Sequence, residues 1–187
     1  MGKDDITLLR ALAAALARYP RSTLQQLAGH AGVSKATLYR MAPTREEVVD
    51  RVVAHASSAL AEAFDQAGLE DQPPLQALRK LTQALIDIRH FYVFLLMNYW
   101  LMNLDRGRDP HEEEECQQYV RRINAFFQKG QDQGVFRKDL PALWLARSYD
   151  FTLFGMMEAE QRGEIESAGM ADLVEKMFME GARVAQA

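Results

Sequence analysis

The chain has 187 residues, 48% hydrophobic and 26% charged, with 11 glycines and 6 prolines and a mean hydropathy of -0.26; this reads as a soluble globular protein of one or two domains and excludes low complexity, collagen-like repeats and wholesale disorder. A single cysteine, Cys116, excludes an internal disulfide and any zinc site built on paired cysteines. The net charge of -4 is unevenly divided: residues 1–55 hold eight basic side chains against five acidic ones, a balance of +3, which leaves -7 for the remainder.

In chain order, Ile6, Leu8, Leu9, Leu12 and Leu16 repeat at helical spacing, with Asp4 or Asp5 as cap and Pro20 as terminator. Ser22 or Thr23 caps a short second helix carrying Leu24, Leu27 and Ala28, which ends near Gly32. Ser34 caps a third over 35–40, stopped before Pro43 because the residue preceding proline is pushed out of the helical region. Thr44, with Glu47 three residues on, reads as a capping box opening a long helix to about Gly68.

After the break at Gln72-Pro73-Pro74, Leu75, Leu78, Leu81 and Leu85 renew the period, and a second apolar block begins near His90. Asp109-Pro110 followed by Glu112 starts a further helix, expected to run through Tyr119, Ile123, Phe126 and Phe127 until the glycines at 130 and 134. Asp139 or Leu140-Pro141 opens a penultimate helix with Trp144, Tyr149, Phe151, Phe154 and Met157, and Ser167 or Gly169 marks the last break before a helix bearing Leu173, Val174, Met177 and Phe178. No period-two segment competes with these assignments. The expected class is therefore all-α, with about nine helices and no internal repeat.

The segment Leu24-Gln-Gln-Leu-Ala-Gly-His-Ala-Gly-Val-Ser-Lys-Ala-Thr-Leu-Tyr-Arg40 has the pattern of a helix-turn-helix. Ala28 lets two helices approach, Gly32 takes the positive φ of the turn, Val33 plugs the junction and Ser34 caps the second helix. Lys35, Ala36, Thr37, Tyr39 and Arg40 then project from a helix narrow enough for the major groove. The local excess of positive charge fits a module that meets a polyanion on one face.

Thr23 to Arg40, followed without a gap by Pro43-Thr-Arg-Glu-Glu-Val48, resembles the TetR/AcrR family of bacterial transcriptional regulators, and Gly134-Val-Phe-Arg-Lys-Asp139 resembles that family's link between its seventh and eighth helices. The Pro20-Arg-Ser-Thr-Leu24 run is similar to a subset of efflux-pump repressors. Three departures stand out: Met41-Ala42 replaces a common aromatic pair, Arg18 a common glycine, and Ala13-Ala14 a Leu-Phe-like pair. The resemblance implies a homodimer whose N-terminal three-helix unit, residues 1–50, meets operator DNA. The fourth helix, from about 44, links it to a helical ligand-binding and dimerisation domain over 51–187. It implies phosphate contacts from the starts of the second and fourth helices with Thr23 and Thr44, and from Tyr39 and Arg45. Lys35 and Thr37, with Arg40, then stand at base edges, Ala36 allows close approach or meets a thymine methyl, and Ser34, the cap of that helix, counts with them among the DNA-binding residues.

Most of the aromatic and Met residues between 75 and 157 must be core. Candidates for contact with a hydrophobic or amphipathic small-molecule effector are Phe94, Asn98, Trp100, Tyr119, Phe126 and Phe151, Asn98 because a buried amide requires a partner. In the last two helices Gly155, Ala159 and Gly181 permit close approach, and Met156, Leu173, Met177 and Phe178 supply apolar area for a homodimer.

Chemistry is mostly absent. The four histidines, His30, His55, His90 and His111, form no paired metal spacing, the acids after His111 read as a solvated helix start, and no nucleophile elbow, phosphate-binding glycine loop or dinucleotide fingerprint is present. No metal, cofactor or catalytic residue is expected. The N-terminal Met-Gly-Lys-Asp-Asp-Ile lacks the basic and apolar regions of a signal peptide, and the apolar stretch 91–104 is too short to cross a bilayer, so a cytoplasmic location without a membrane partner is expected. The alternative is an all-α protein-interaction or assembly module with a degenerate helix-turn-helix that does not bind DNA; an enzyme relying on Cys116 or His90 ranks below it.

Overall fold

Residues 3–97 and 110–183 are described by the computed structural model, and their regular elements are all helical. In chain order these are α1 (Lys3–Arg18), α2 (Leu24–His30), α3 (Lys35–Met41), α4 (Arg45–Ala67), α5 (Pro74–Asp87), α6 (Arg89–Leu95), α7 (Pro110–Asp132), α8 (Ala142–Gln161) and α9 (Met170–Ala182). The all-α class is as expected. Among the described residues the one extended pairing is an isolated antiparallel bridge between Phe136 and Arg183.

The boundaries have local causes. Thr23, not Ser22, caps α2: the Gln26 amide donates to Thr23 Oγ1 at 3.3 Å and the Thr23 amide donates to Gln26 Oε1 at 2.9 Å, a reciprocal capping box. Ser22 is instead buried. Pro141 precedes α8 and Gly169, at φ 82°, precedes α9.

The described residues divide into two compact units, one drawn from Met1–Glu62 and Ile88–Asp109, the other from Ala63–Asp87 and Pro110–Ala187. In the first, α1 packs against α2 and α6, and α2 against α3. Its interior is aliphatic in the first four helices, with Leu9, Leu12 and Leu16 from α1, Leu24, Leu27 and Ala28 from α2, Leu38 from α3, Val48 and Val52 from α4, and aromatic where α6 contributes Phe91, Tyr92 and Phe94. The small Ala13 is fully enclosed there. His55 meets the Phe91 ring edge-on at 4.7 Å, and burial holds its pKa below the usual histidine value, with Glu62 opposing and Arg10 reinforcing the shift.

The second unit is built on aromatic rings. Phe127 lies 5.0 Å from Phe126, 5.1 Å from Phe136 and 5.6 Å from Phe178, and Tyr149 stands 5.4 Å from Phe178. The buried Tyr149 phenol is matched to Thr82 Oγ1 at 2.8 Å, while that hydroxyl also reaches the Leu78 carbonyl at 2.8 Å. Burial pushes Tyr149 far above the ordinary phenol range, so it stays neutral.

One correction concerns α7, which runs through Gly130 and ends at Asp132; Gly134, at φ 72°, makes the turn. Gly130 has a tertiary purpose. The Phe136 ring folds back onto it so closely that an added Cβ would lie 2.2 Å from a ring carbon. Gln131 then donates to the carbonyls of Arg137 and Leu140, both at 2.7 Å, and the Arg137 amide donates to the Ala182 carbonyl at 2.9 Å. The α7–α8 link is thereby fastened to the end of α9. At the start of α7's unit, Lys129 gathers the carbonyls of Glu70 and Gln72 at 2.7 and 3.0 Å just after α4 ends.

An alanine inside a helix ordinarily gains about 1 kcal/mol over glycine, whereas overpacking costs about 1–3 kcal/mol. Because the nearest atoms belong to a buried ring, overpacking should win. Gly130→Ala is expected to lower the thermal midpoint by several degrees; an unchanged or higher midpoint in a melting scan contradicts the packing described.

Candidate nucleic-acid interface

The two helices at the interface are joined by a turn that its residues dictate. The Val33 amide donates to the Ala28 carbonyl at 3.0 Å and the Gly32 amide to that of Gly29 at 3.2 Å, and Gly32 takes φ 68°, which favours glycine. Leu27 and Leu38 are fully buried beneath the junction. Val33 is half-buried, covering the junction from outside.

Ser34 starts α3 by accepting the Thr37 amide at 3.0 Å, and the two hydroxyls lie 2.8 Å apart. Satisfying an otherwise orphaned amide fixes where the helix begins. With Leu38 inward, Lys35, Ala36, Tyr39 and Arg40 are exposed and Thr37 is half-buried. Lys35 Nζ sits 5.4 Å from the centre of the Tyr39 ring, a cation–π contact that holds both side chains on one face. That face carries two cations, hydroxyls and a methyl group. It has no acid.

Thr23 and Thr44 are exposed at the starts of α2 and α4. Thr44 Oγ1 accepts the Glu47 amide at 3.2 Å and donates to Glu47 Oε1 at 3.3 Å; the carboxylate takes the hydroxyl where a full capping box would use the backbone amide. The sequence reading places Arg45 on a phosphate. In the structure its Nε donates to the Ser22 carbonyl at 2.9 Å and its Nη2 to the Pro20 carbonyl at 2.5 Å. At the departure from the family pattern, Ala42 is fully buried and its amide donates to the Leu38 carbonyl at 2.9 Å, so a small residue closes α3. A feature without periodic signal is the stack of Tyr19 on His30, ring centres 4.0 Å apart, with the Arg18 guanidinium 5.8 Å from the Tyr19 ring.

Of the effector candidates, Asn98 and Trp100 lie outside the described residues. Phe94 is buried in the first unit, whereas Tyr119 and Phe126 are buried in the second. Phe151 is 56% exposed. Tyr119 stands edge-on to Phe64 at 5.4 Å and donates to Asp150 Oδ1 at 2.5 Å. Asp150, only 4% exposed, escaped the sequence reading. Its signal was positional: it falls between Ala146 and Leu153 on the inward face of α8.

The dimer candidates separate into three groups. Gly155, Leu173, Met177 and Gly181 are exposed, Met156 and Ala159 are half-buried, and Phe178 is buried against Phe127 and Tyr149. Trp144 and Phe151, exposed at 58% and 56%, join Gly155 on one face of α8. Met177, 62% exposed, continues an apolar stripe on α9 with Leu173. Among the described residues no cluster of three or more His, Cys, Asp or Glu is arranged to hold a metal ion, and no helix is long and apolar enough to cross a membrane.

No family model matches the sequence. A relative does: the HTH-type transcriptional regulator NfxB of Pseudomonas aeruginosa is 38% identical over 179 residues, covering 95% of this chain and 94% of the relative. Among solved structures, the TetR-like transcriptional regulator LfrR from Mycobacterium smegmatis matches all of both chains with a TM-score of 0.71 at 21% identity. The same regulator in complex with proflavine matches with a TM-score of 0.66 at 19% identity, over 98% of this chain and 97% of that one. These likenesses to solved structures show the fold.

The Ser34 cap should be worth about 1 kcal/mol. Ser34→Ala is expected to shift the urea midpoint down by a corresponding amount; an unchanged midpoint would mean that α3 is held without its cap.

Proposed function

This chain belongs to the TetR/AcrR family of transcriptional regulators, and on that basis we propose that it is a homodimeric repressor that leaves one operator when a small hydrophobic or amphipathic ligand binds its helical domain. The observation that carries the reading is the exposed, acid-free face of α3 on an intact helix-turn-helix. Residues 1–50 form the DNA-binding part, α4 links it onward, and 51–187 hold the effector and dimer functions. The protein works in the cytoplasm.

On DNA, Lys35 and Thr37 with Arg40 face base edges, and Ala36 leaves room for a thymine methyl. Thr23, Tyr39 and Thr44 flank them at the backbone, and Ser34 holds the start of the reading helix against it. A lone helix of this length reads few base pairs. A two-fold dimer presents two such helices about one DNA turn apart. The exposed stripes of α8 and α9, Trp144, Phe151, Gly155, Leu173, Met177 and Gly181, supply the self-complementary apolar area such a dimer buries.

For the effector, the buried pairing of Tyr119 with Asp150 beside Phe64 offers a negative group within an aromatic setting. This favours a planar cation, and proflavine, held by the similarly folded LfrR, is a suitable probe.

Two experiments test these roles. On the duplex that the protein selects, Lys35→Ala and Thr37→Ala should each weaken binding by about tenfold or more, with a much smaller loss on scrambled DNA. Equal losses on both duplexes would remove the base-reading assignment. In calorimetric titration of proflavine into the DNA-free protein, Asp150→Asn should raise the Kd by about tenfold, the loss of one charge-assisted contact; an unchanged Kd would exclude Asp150 as the counterion.

A further inference from the structure

The segment from Pro20 to Arg45 contains both helices of the interface, and one side chain joins its ends. Arg45, the first residue of α4, reaches back over sequence separations of 23 and 25 residues to the carbonyls of Ser22 and Pro20. Those carbonyls belong to the turn whose next residue, Thr23, caps α2. At the other end, Ala42 closes α3 three residues before Arg45. A guanidinium is a planar fork with donors in fixed directions, so two carbonyls held by Nε and Nη2 are fixed in position and in orientation. The side chain therefore closes the whole helix-turn-helix into a ring.

The surroundings favour this inward role over a phosphate. Arg45 is half-buried, and Glu46, Glu47 and Asp50 are exposed on the same helix immediately beyond it. Their charge opposes the approach of DNA at that point. The single Nε hydrogen and one of the Nη2 hydrogens are already committed to charge-assisted bonds with the turn, which fixes the plane and direction of the guanidinium.

We infer that Arg45 is a positioning residue for DNA recognition: it sets α2 and α3 against the start of α4 from within the protein, and its charge is not neutralised by a phosphate. The inference rests on the DNA-binding function proposed above. It separates two quantities that a phosphate contact would move together. Base-edge contacts need α3 in place, so sequence-specific affinity depends on Arg45. Charge-driven binding to arbitrary DNA, and the number of counterions released, do not.

The test uses the full-length protein and Arg45→Met, which keeps the aliphatic stem without fork or charge. Binding is measured across a salt series on the selected duplex and on a scrambled duplex of equal length. The expected result is a loss of about tenfold or more on the selected duplex, a change within about twofold on the scrambled one, and an unaltered salt slope. Equal losses on both, with the slope reduced by about 0.9, would make Arg45 a phosphate contact and overturn the inference. No loss on either would also overturn it. Should Arg45→Met melt below the assay temperature, amide hydrogen exchange in DNA-free Arg45→Lys decides: faster exchange in α2 and α3 with α5 unchanged is expected, and unchanged exchange in α2 and α3 refutes the inference. Wild-type protein that selects no sequence removes the functional reading and this inference with it, whereas a selective wild type matched by Arg45→Met removes the inference alone.

Discussion

A seven-residue helix has almost no stability of its own in water, so whatever α3 reads depends on what holds it. Leu38 pins the helix from beneath and Ser34 fixes its first turn. Gly32 aims it by accepting a positive φ, and Arg45 ties the chain on both sides of the pair. Each of these devices is small. Together they turn a short peptide into a rigid surface, on which Lys35, Thr37 and Arg40, the side chains proposed to read base edges, are held in place before any DNA arrives.

The second unit follows a different logic. Its interior is a cluster of aromatic rings around Phe127, and its buried polar groups are matched in pairs, Tyr149 with Thr82 and Tyr119 with Asp150. Gln131 and the Phe136 bridge fasten α9 to the α7–α8 link. With Phe178 committed to the interior, α9 shows Leu173 and Met177 outward, and α8 shows Trp144 and Phe151. An apolar outer face on a well-fastened pair of helices is the feature that a two-fold partner would cover.

Local chemistry made much of this legible in advance. Caps, prolines and helical spacing placed most of the described helices, because those signals act within a few residues; Asp4 and Asp5, expected as caps, instead lie inside α1, and the break between α5 and α6 at Ile88 carries no capping side chain to announce it. The helix-turn-helix was legible for the same reason. What escaped the sequence depends on contacts across the fold. Gly130 looks like a helix stop until the Phe136 ring is seen against it. Arg45 looks like a surface cation until its reach to Pro20 and Ser22 is known. The stack of Tyr19 on His30 joins residues with no common period. On α8, apolar residues occur on every side, so periodicity could not separate the buried Tyr149 and Leu153 from the exposed Trp144 and Phe151, and Asp150 was lost among them. On α9, Phe178 shared a pattern with Met177 although one points in and the other out.

The central claim, a two-fold protein that reads sequence through α3, is tested most directly by selection from randomised duplex DNA with the purified full-length chain. The account predicts enrichment of an inverted repeat whose half-sites are centred about one helical turn apart, or a multiple of it. A folded, dimeric protein that enriches no sequence would contradict it.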